Sequence, residues 1–204
     1  RELRKKISQR NFFGSHNTNV SGNHIYNGKN IHYSFDLKEG EDSKYIFTAS
    51  KMVDCYDAAF NGGGVELGCE TLACTGRGIR FCHNTFSSSD TYYSEHCYSS
   101  HNIFGCVGLK NGNYCILNKQ FSKEEYEALV PKIIEHMKKT GEYGEFFPVP
   151  LSAFAYNESI INEYYPIGHD EAVRRGYRWV DDPPTTTGQE TVSHDALPKD
   201  PSQF

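Results

Sequence analysis

Long apolar runs are missing from this 204-residue chain. Nothing approaches the ~18 consecutive apolar residues of a membrane-crossing helix, so an integral helical membrane protein is excluded. A basic surplus is missing too, since 21 Lys and Arg face 26 Asp and Glu for a net charge of −5. Nucleic acid is therefore disfavoured as a partner of this stretch, because a general binder needs a basic footprint. Aliphatic residues are scarce. Counting the 18 glycines in place of the 14 tyrosines brings the apolar share to about 39%, short of the roughly 45–50% usual in globular domains. The seven cysteines include no Cys-x-x-Cys pair, which removes metal-knuckle spacing. Gly62-Gly63-Gly64 lacks the Lys-Ser/Thr of a phosphate loop and reads as a turn.

What is present is a recurrence. Segments recur in which small polar or turn residues lead into a short aromatic-rich patch: Gly28–Phe35, Glu41–Phe47, Lys51–Asp57, Gly62–Cys69, Gly76–His83, Ser89–Ser94, Ser100–Cys106 and Asn111–Leu117. Each patch has strand length and β-type composition, and onsets fall about 10–14 residues apart. Short regular strands admit a sandwich, a barrel or a β-solenoid. The patches are too short for a sandwich core, and two intervals, roughly 21 residues, match one solenoid rung. The chain is thus expected to be mainly β, a parallel β-helix-like solenoid over residues 11–121. Lys110-Asn111-Gly112-Asn113 reads as a hairpin turn and keeps an all-β meander as the alternative.

At Ser122 the grammar changes. Ser122 and Glu125 form a capping box, and Tyr126, Leu129, Val130, Ile133, Ile134 and Met137 make one helical stripe that Gly141 ends. Pro131 should kink this helix, whose apolar face is expected to cap the last rung. Residues 122–180 form this cap and two shorter helices, Asn157–Tyr165 and Asp170–Arg175. Residues 1–10 form a basic arm and 181–204 a polar tail, both read as solvated. The chain opens on Arg1, so its true start is expected to lie before it or to have been processed away.

Phe104–Leu109, Tyr114–Tyr126, Leu129–Met137, Gly144–Pro148, Tyr156–Ser159, Glu163–Pro166 and Glu171–Trp179 together resemble a group of uncharacterised Cys/Tyr-rich repeat proteins of candidate-phylum bacteria. The resemblance is close over 90–182 and a matter of style over 11–90. It implies zinc-ribbon or treble-clef fingers outside this region, and no established activity.

Three kinds of chemistry suggest themselves. The cysteines, odd in number and beside large apolar residues, read as reduced and stacked inward in a cytoplasmic protein. Zinc is the one metal left open, at Cys82 (paired with His83), His96, Cys97, His101 and Cys106, although neighbours on a strand point to opposite faces and only one of each pair Cys82-His83 and His96-Cys97 could join. Asp54, Asp57, Glu66 and Arg80, with Glu70 and Arg77, could line one face of a solenoid for acid–base work on a carbohydrate. The leading expectation is a non-catalytic interaction or scaffold module with a protein partner. The alternatives are a carbohydrate-active or carbohydrate-binding β-helix protein and a zinc-dependent nucleic-acid-associated protein.

Overall fold

A computed structural model describes residues 11–182; the basic arm and the tail from 183 onward lie outside the described residues. The backbone repeats every three residues. Asn27, Asn30, Tyr33, Asp36, Glu39 and Asp42 all have φ between +47° and +61°, a left-handed conformation in which the chain turns. The residue after each points inward: Gly28, Ile31, Ser34, Leu37, Gly40 and Ser43. The next points outward. Four such triplets close one turn, so Lys44 pairs in parallel with Tyr56 and His101 with Asn113, twelve residues on. About nine turns form a β-solenoid.

The strands are β1 (Gly14–Ser15), β2 (Thr18–Val53), which winds through several turns, β3 (Tyr56–Ala59), β4 (Val65–Glu66), β5 (Cys69–Leu72), β6 (Gly76–His83), β7 (Ser88–Tyr92), β8 (His101–Phe104), β9 (Asn113–Ile116) and β10 (Lys119–Gln120). All pairings are parallel except β9–β10, where the chain folds back at the last turn. The rung expected at about 21 residues is therefore twelve, because a left-handed residue at every third position turns the chain far more tightly than longer strands would. The Asn111-Gly112 hairpin is also corrected. Asn111 (φ 54°) is another such turning point, Gly112 faces inward, and β8 and β9 run parallel across it. Gly62–Gly64 absorbs an extra residue: Met52 pairs with Val65 thirteen on, and Val65 with Gly76 eleven on.

Triplet sides leave a narrow interior, which accounts for the aliphatic deficit. Ile31 and Leu37 fill so much of their turn that a Cβ on Gly40 would lie 2.7 Å from Leu37 Cδ2. Many of the other inward residues are Ser, Thr or Cys, and their role is hydrogen bonding. Ser34 Oγ donates to the His32 carbonyl at 2.9 Å and accepts the Ile46 N–H, one turn on, at 3.0 Å. Ser43, Ser94 and Ser100 repeat both bonds. The thiols of Cys55, Cys82 and Cys97 make the donor half, to the carbonyls of Val53, Arg80 and Glu95. All seven cysteines are free and all but Cys69 are buried. These six are inward, as expected, and thiols among them donate to backbone carbonyls that burial would otherwise leave short of partners, whereas Cys69 faces out.

Helix α1 (Lys123–Thr140) carries the Ser122–Glu125 capping box and ends on Gly141 at φ 78°, running through Pro131. It starts at the last turn, as a cap would. Its apolar stripe then lies along the flank, packing Tyr126 and Val130 against Phe81, Tyr93, Phe104 and Ile116 from four successive turns. The Gly144 N–H beyond it donates to Tyr93 Oη at 2.9 Å. The chain divides into two compact units after Phe147, α1 belonging to the first. The second contains α2 (Ile161–Tyr164) and α3 (His169–Arg174), with 3-10 turns at Val149–Leu151 and Tyr156–Glu158. Within it Asn157 ties to Val180 through both its amide and the Val180 N–H. Among the described residues no helix is long and apolar enough to cross a membrane.

Candidate interaction surface

Two neighbouring sides of the solenoid depart from the polar exterior that a water-facing sheet calls for. The tyrosine side presents, turn after turn, Lys44, Tyr56, Cys69, Arg80, Tyr92, Phe104 and Ile116, edged by the turning residues Tyr33, Tyr45, Asp57, Glu70, Phe81 and Tyr93. Helix α1 covers its later half. The earlier half is bare: Tyr33 is 61% exposed, Tyr45 40% and Tyr56 44%. These rings are ordered among themselves, Tyr33 stacked on Tyr45 at 5.6 Å and Tyr45 edge-on to Tyr56 at 5.2 Å. Lys44 Nζ lies 4.5 Å from the Tyr45 centroid and within 6 Å of the other two, cation–π distances that hold the ammonium over the rings.

Around the edge lies the phenylalanine side, where Phe35, Phe47, Ala59 and Leu72 are followed by His83, Glu95 and Val107. Phe35, Phe47 and Phe60 are about half exposed. At roughly 200 Å² per aromatic side chain, six half-exposed rings on the two sides offer about 600 Å². That is the top of the range for the largest patch on a monomer and approaches the ~800 Å² that each partner gives to a standard interface.

The carboxylates and arginine expected on one face are spread around the turn. Glu66 lies on a third, charged side that runs through Glu66, Arg77, Ser89 and His101, paired with Arg77 at 3.0 Å, and Asp54 is at a turning point one turn earlier. Arg80 is on the tyrosine side, bonded to Tyr92 Oη, and Asp57 is at that side's far edge. What does come together is Asp57 with Glu70. Burial raises both carboxyls above the usual range, and the Asp57 charge raises Glu70 further. An open groove of about 300 Å³ lined by Asp90, Tyr92, Asn102 and α1 holds carboxylates and no base.

The five residues expected to bind zinc also separate. Cys82, Cys97 and Cys106 point inward and are fully buried, and burial pushes the Cys82 thiol up. His101 faces out on the charged side, beside Ser89 Oγ at 2.9 Å. His96 faces out too, and there it meets His83 and Glu95. The twelve-residue spacing of His83 and Glu95 carries that neighbourhood, but it becomes legible only once the turn length is known. No protein-family model matches this chain, and a search of curated proteins finds no match.

Proposed function

We propose that this chain is a non-catalytic interaction module that seats an amphipathic helix of a partner protein on the bare half of its tyrosine side. One observation carries the reading: the same side already takes an amphipathic helix, α1, on its later turns, and beyond the intervening Cys69–Glu70 turn the aromatic rings resume at Tyr56, Tyr45 and Tyr33. A helix laid in a groove of this kind is read through apolar anchors at i, i+3, i+4 and i+7, the spacing α1 itself uses. Six buried free thiols among the seven cysteines support placing the module in a reducing cytoplasm.

The test uses the full chain and a labelled peptide copying Ser122–Tyr143 as the helical probe. A saturable rise in fluorescence anisotropy is expected, weakened at least about ten-fold by Tyr33→Asn with Tyr45→Asn, asparagine being a residue that tolerates the left-handed backbone there. No binding, or binding indifferent to the double substitution, overturns the proposal. A dimer in light scattering that the same substitution dissolves would assign the surface to a second copy and overturn the helical occupant.

A further inference from the structure

On the phenylalanine side, the outward column is apolar from Phe35 to Leu72 and apolar again at Val107, interrupted only by His83 and Glu95. His96, at the turning point after Glu95, leans into the same spot. His83 Nδ1 is 2.9 Å and His96 Nε2 is 3.4 Å from one oxygen, Glu95 Oε1, and the three ligand atoms all lie within 4.8 Å of one another. Two imidazoles crowding a single carboxylate oxygen is more than one hydrogen-bonded pair requires. We propose that His83, Glu95 and His96 form a zinc-class metal site on the phenylalanine side.

The distances suit the ion. Tetrahedral zinc holds nitrogen and oxygen ligands at about 2.0–2.2 Å, which sets neighbouring donors roughly 3.3–3.5 Å apart. Of the two separations to Glu95 Oε1, 3.4 Å falls within that range and 2.9 Å a few tenths of an ångström below it, while the two imidazole nitrogens lie no more than 4.8 Å apart. The backbone is fixed beneath the ligands. His83 and Glu95 are directly paired across adjacent turns, held by the bonds His83 N–H to Ser94 O, Glu95 N–H to Cys106 O and His96 N–H to His83 O at 2.9–3.2 Å. The side chains are 33–46% exposed, half sunk and open on one side, leaving a coordination position for water or a fourth ligand. Two imidazoles and a carboxylate suit zinc and its divalent transition-metal neighbours over calcium or magnesium, which prefer all-oxygen cages.

An orienting partner is present as well. The Asn84 side-chain amide lies 3.1 Å from His96 Nδ1. With the metal on Nε2 the ring proton sits on Nδ1, and Asn84, turned about its amide axis, offers its oxygen to that proton. Outer partners of this type typically carry about 10–100-fold in metal affinity. The inward thiols take no part.

The experiment is calorimetric titration of zinc into the full chain after removal of metal with a chelator, with cobalt absorption as the reporter of tetrahedral nitrogen–oxygen ligation. One zinc per chain is expected. His83→Gln and His96→Gln should each weaken it at least about ten-fold, Asn84→Gly about ten-fold, and His101→Gln on the charged side should not change it. Far-UV circular dichroism confirms that each variant keeps the solenoid. No saturable zinc binding, a cobalt spectrum showing thiolate charge transfer, or equal loss in His101→Gln would overturn the site.

Discussion

Replacing Ser94 by alanine should cost far more than the loss of one oxygen atom suggests. Ser94 belongs to a turn whose inward residues, Thr85, Ser88, Thr91 and Ser94, are all hydroxyl-bearing and buried. Its Oγ donates to the Tyr92 carbonyl at 2.9 Å and accepts the Cys106 N–H at 3.1 Å. Without it the Tyr92 carbonyl keeps the Gly105 N–H, but the Cys106 N–H faces an alanine methyl. A buried donor left without a partner costs about 1–3 kcal/mol. Ser94→Cys should cost about half as much, since a thiol keeps the donor and is a weak acceptor, as Cys106 Sγ is toward Asn118 N–H at 3.4 Å. Ser99→Ala, at an exposed left-handed position with φ 48°, is the control and should stay within about 0.5 kcal/mol. Because repeat arrays need not unfold in one step, native-state hydrogen exchange at the Cys106 amide is the sharper assay. A loss of about 2 kcal/mol speeds its opening roughly 30-fold. If Ser94→Ala matches Ser99→Ala in urea midpoint and leaves Cys106 equally protected, the interior is held by packing alone and the hydrogen-bonding account is wrong.

Three further outcomes follow from the same geometry. Burial pushes the Cys55 and Cys74 thiols up to about 11, so alkylation at pH 8 should spare the buried cysteines until denaturant is added, with half-buried Cys69 reacting first; rapid native labelling of Cys55 or Cys74 would contradict this. Thr48 is β-branched at φ 49°, so Thr48→Asn should stabilise the chain by about 1 kcal/mol in urea titration. Burial, then the Asp57 and Glu145 charges, raise the Glu70 carboxyl. A carboxyl raised in the folded state favours folding below its ordinary value near ~4.3 and loses that contribution as pH rises through the folded value. Glu70→Gln should therefore raise the urea midpoint at pH 7 and lose that advantage below about pH 4, and an advantage that grows on acidification would refute it.

The solenoid was legible because its patches are too short for any sandwich and recur with turn residues between them. Its pitch was not. A hydrophobic count looks for patches and pairs two of them into a rung, whereas this backbone repeats in triplets, with Asn27, Asn30, Asp36, Asp42 and Asp54 at left-handed positions and a small or aliphatic residue after each. Asparagine and aspartate at every third residue were the available signal. Helix α1 was legible in full, caps included, because its stripe has the helical period. Where it lies was not, since a stripe says only that something apolar faces it. The zinc candidates divide for a reason already present in strand alternation: Cys82 and Cys97 go inward, so their neighbours His83 and His96 go outward, where they meet beside Glu95.

The division between inside and outside also says where this protein's particular chemistry lies. Inside, the demand is for a small side chain that can donate to the carbonyl two residues back, and serine, threonine and cysteine meet it almost interchangeably. Outside, a turn needs only a left-handed residue and one that tolerates water, as Asn30, Asp42 and Asn102 show. Folding makes no demand for rings at such places, and a left-handed tyrosine or phenylalanine is strained without return from burial. Phe81 and Tyr93 recover that cost by packing beneath α1. Tyr33, Tyr45 and Phe60 have the same backbone strain and stand in water. At Tyr33 and Tyr45 the proposed helix, on the pattern of α1, would supply the burial that Phe81 and Tyr93 already have.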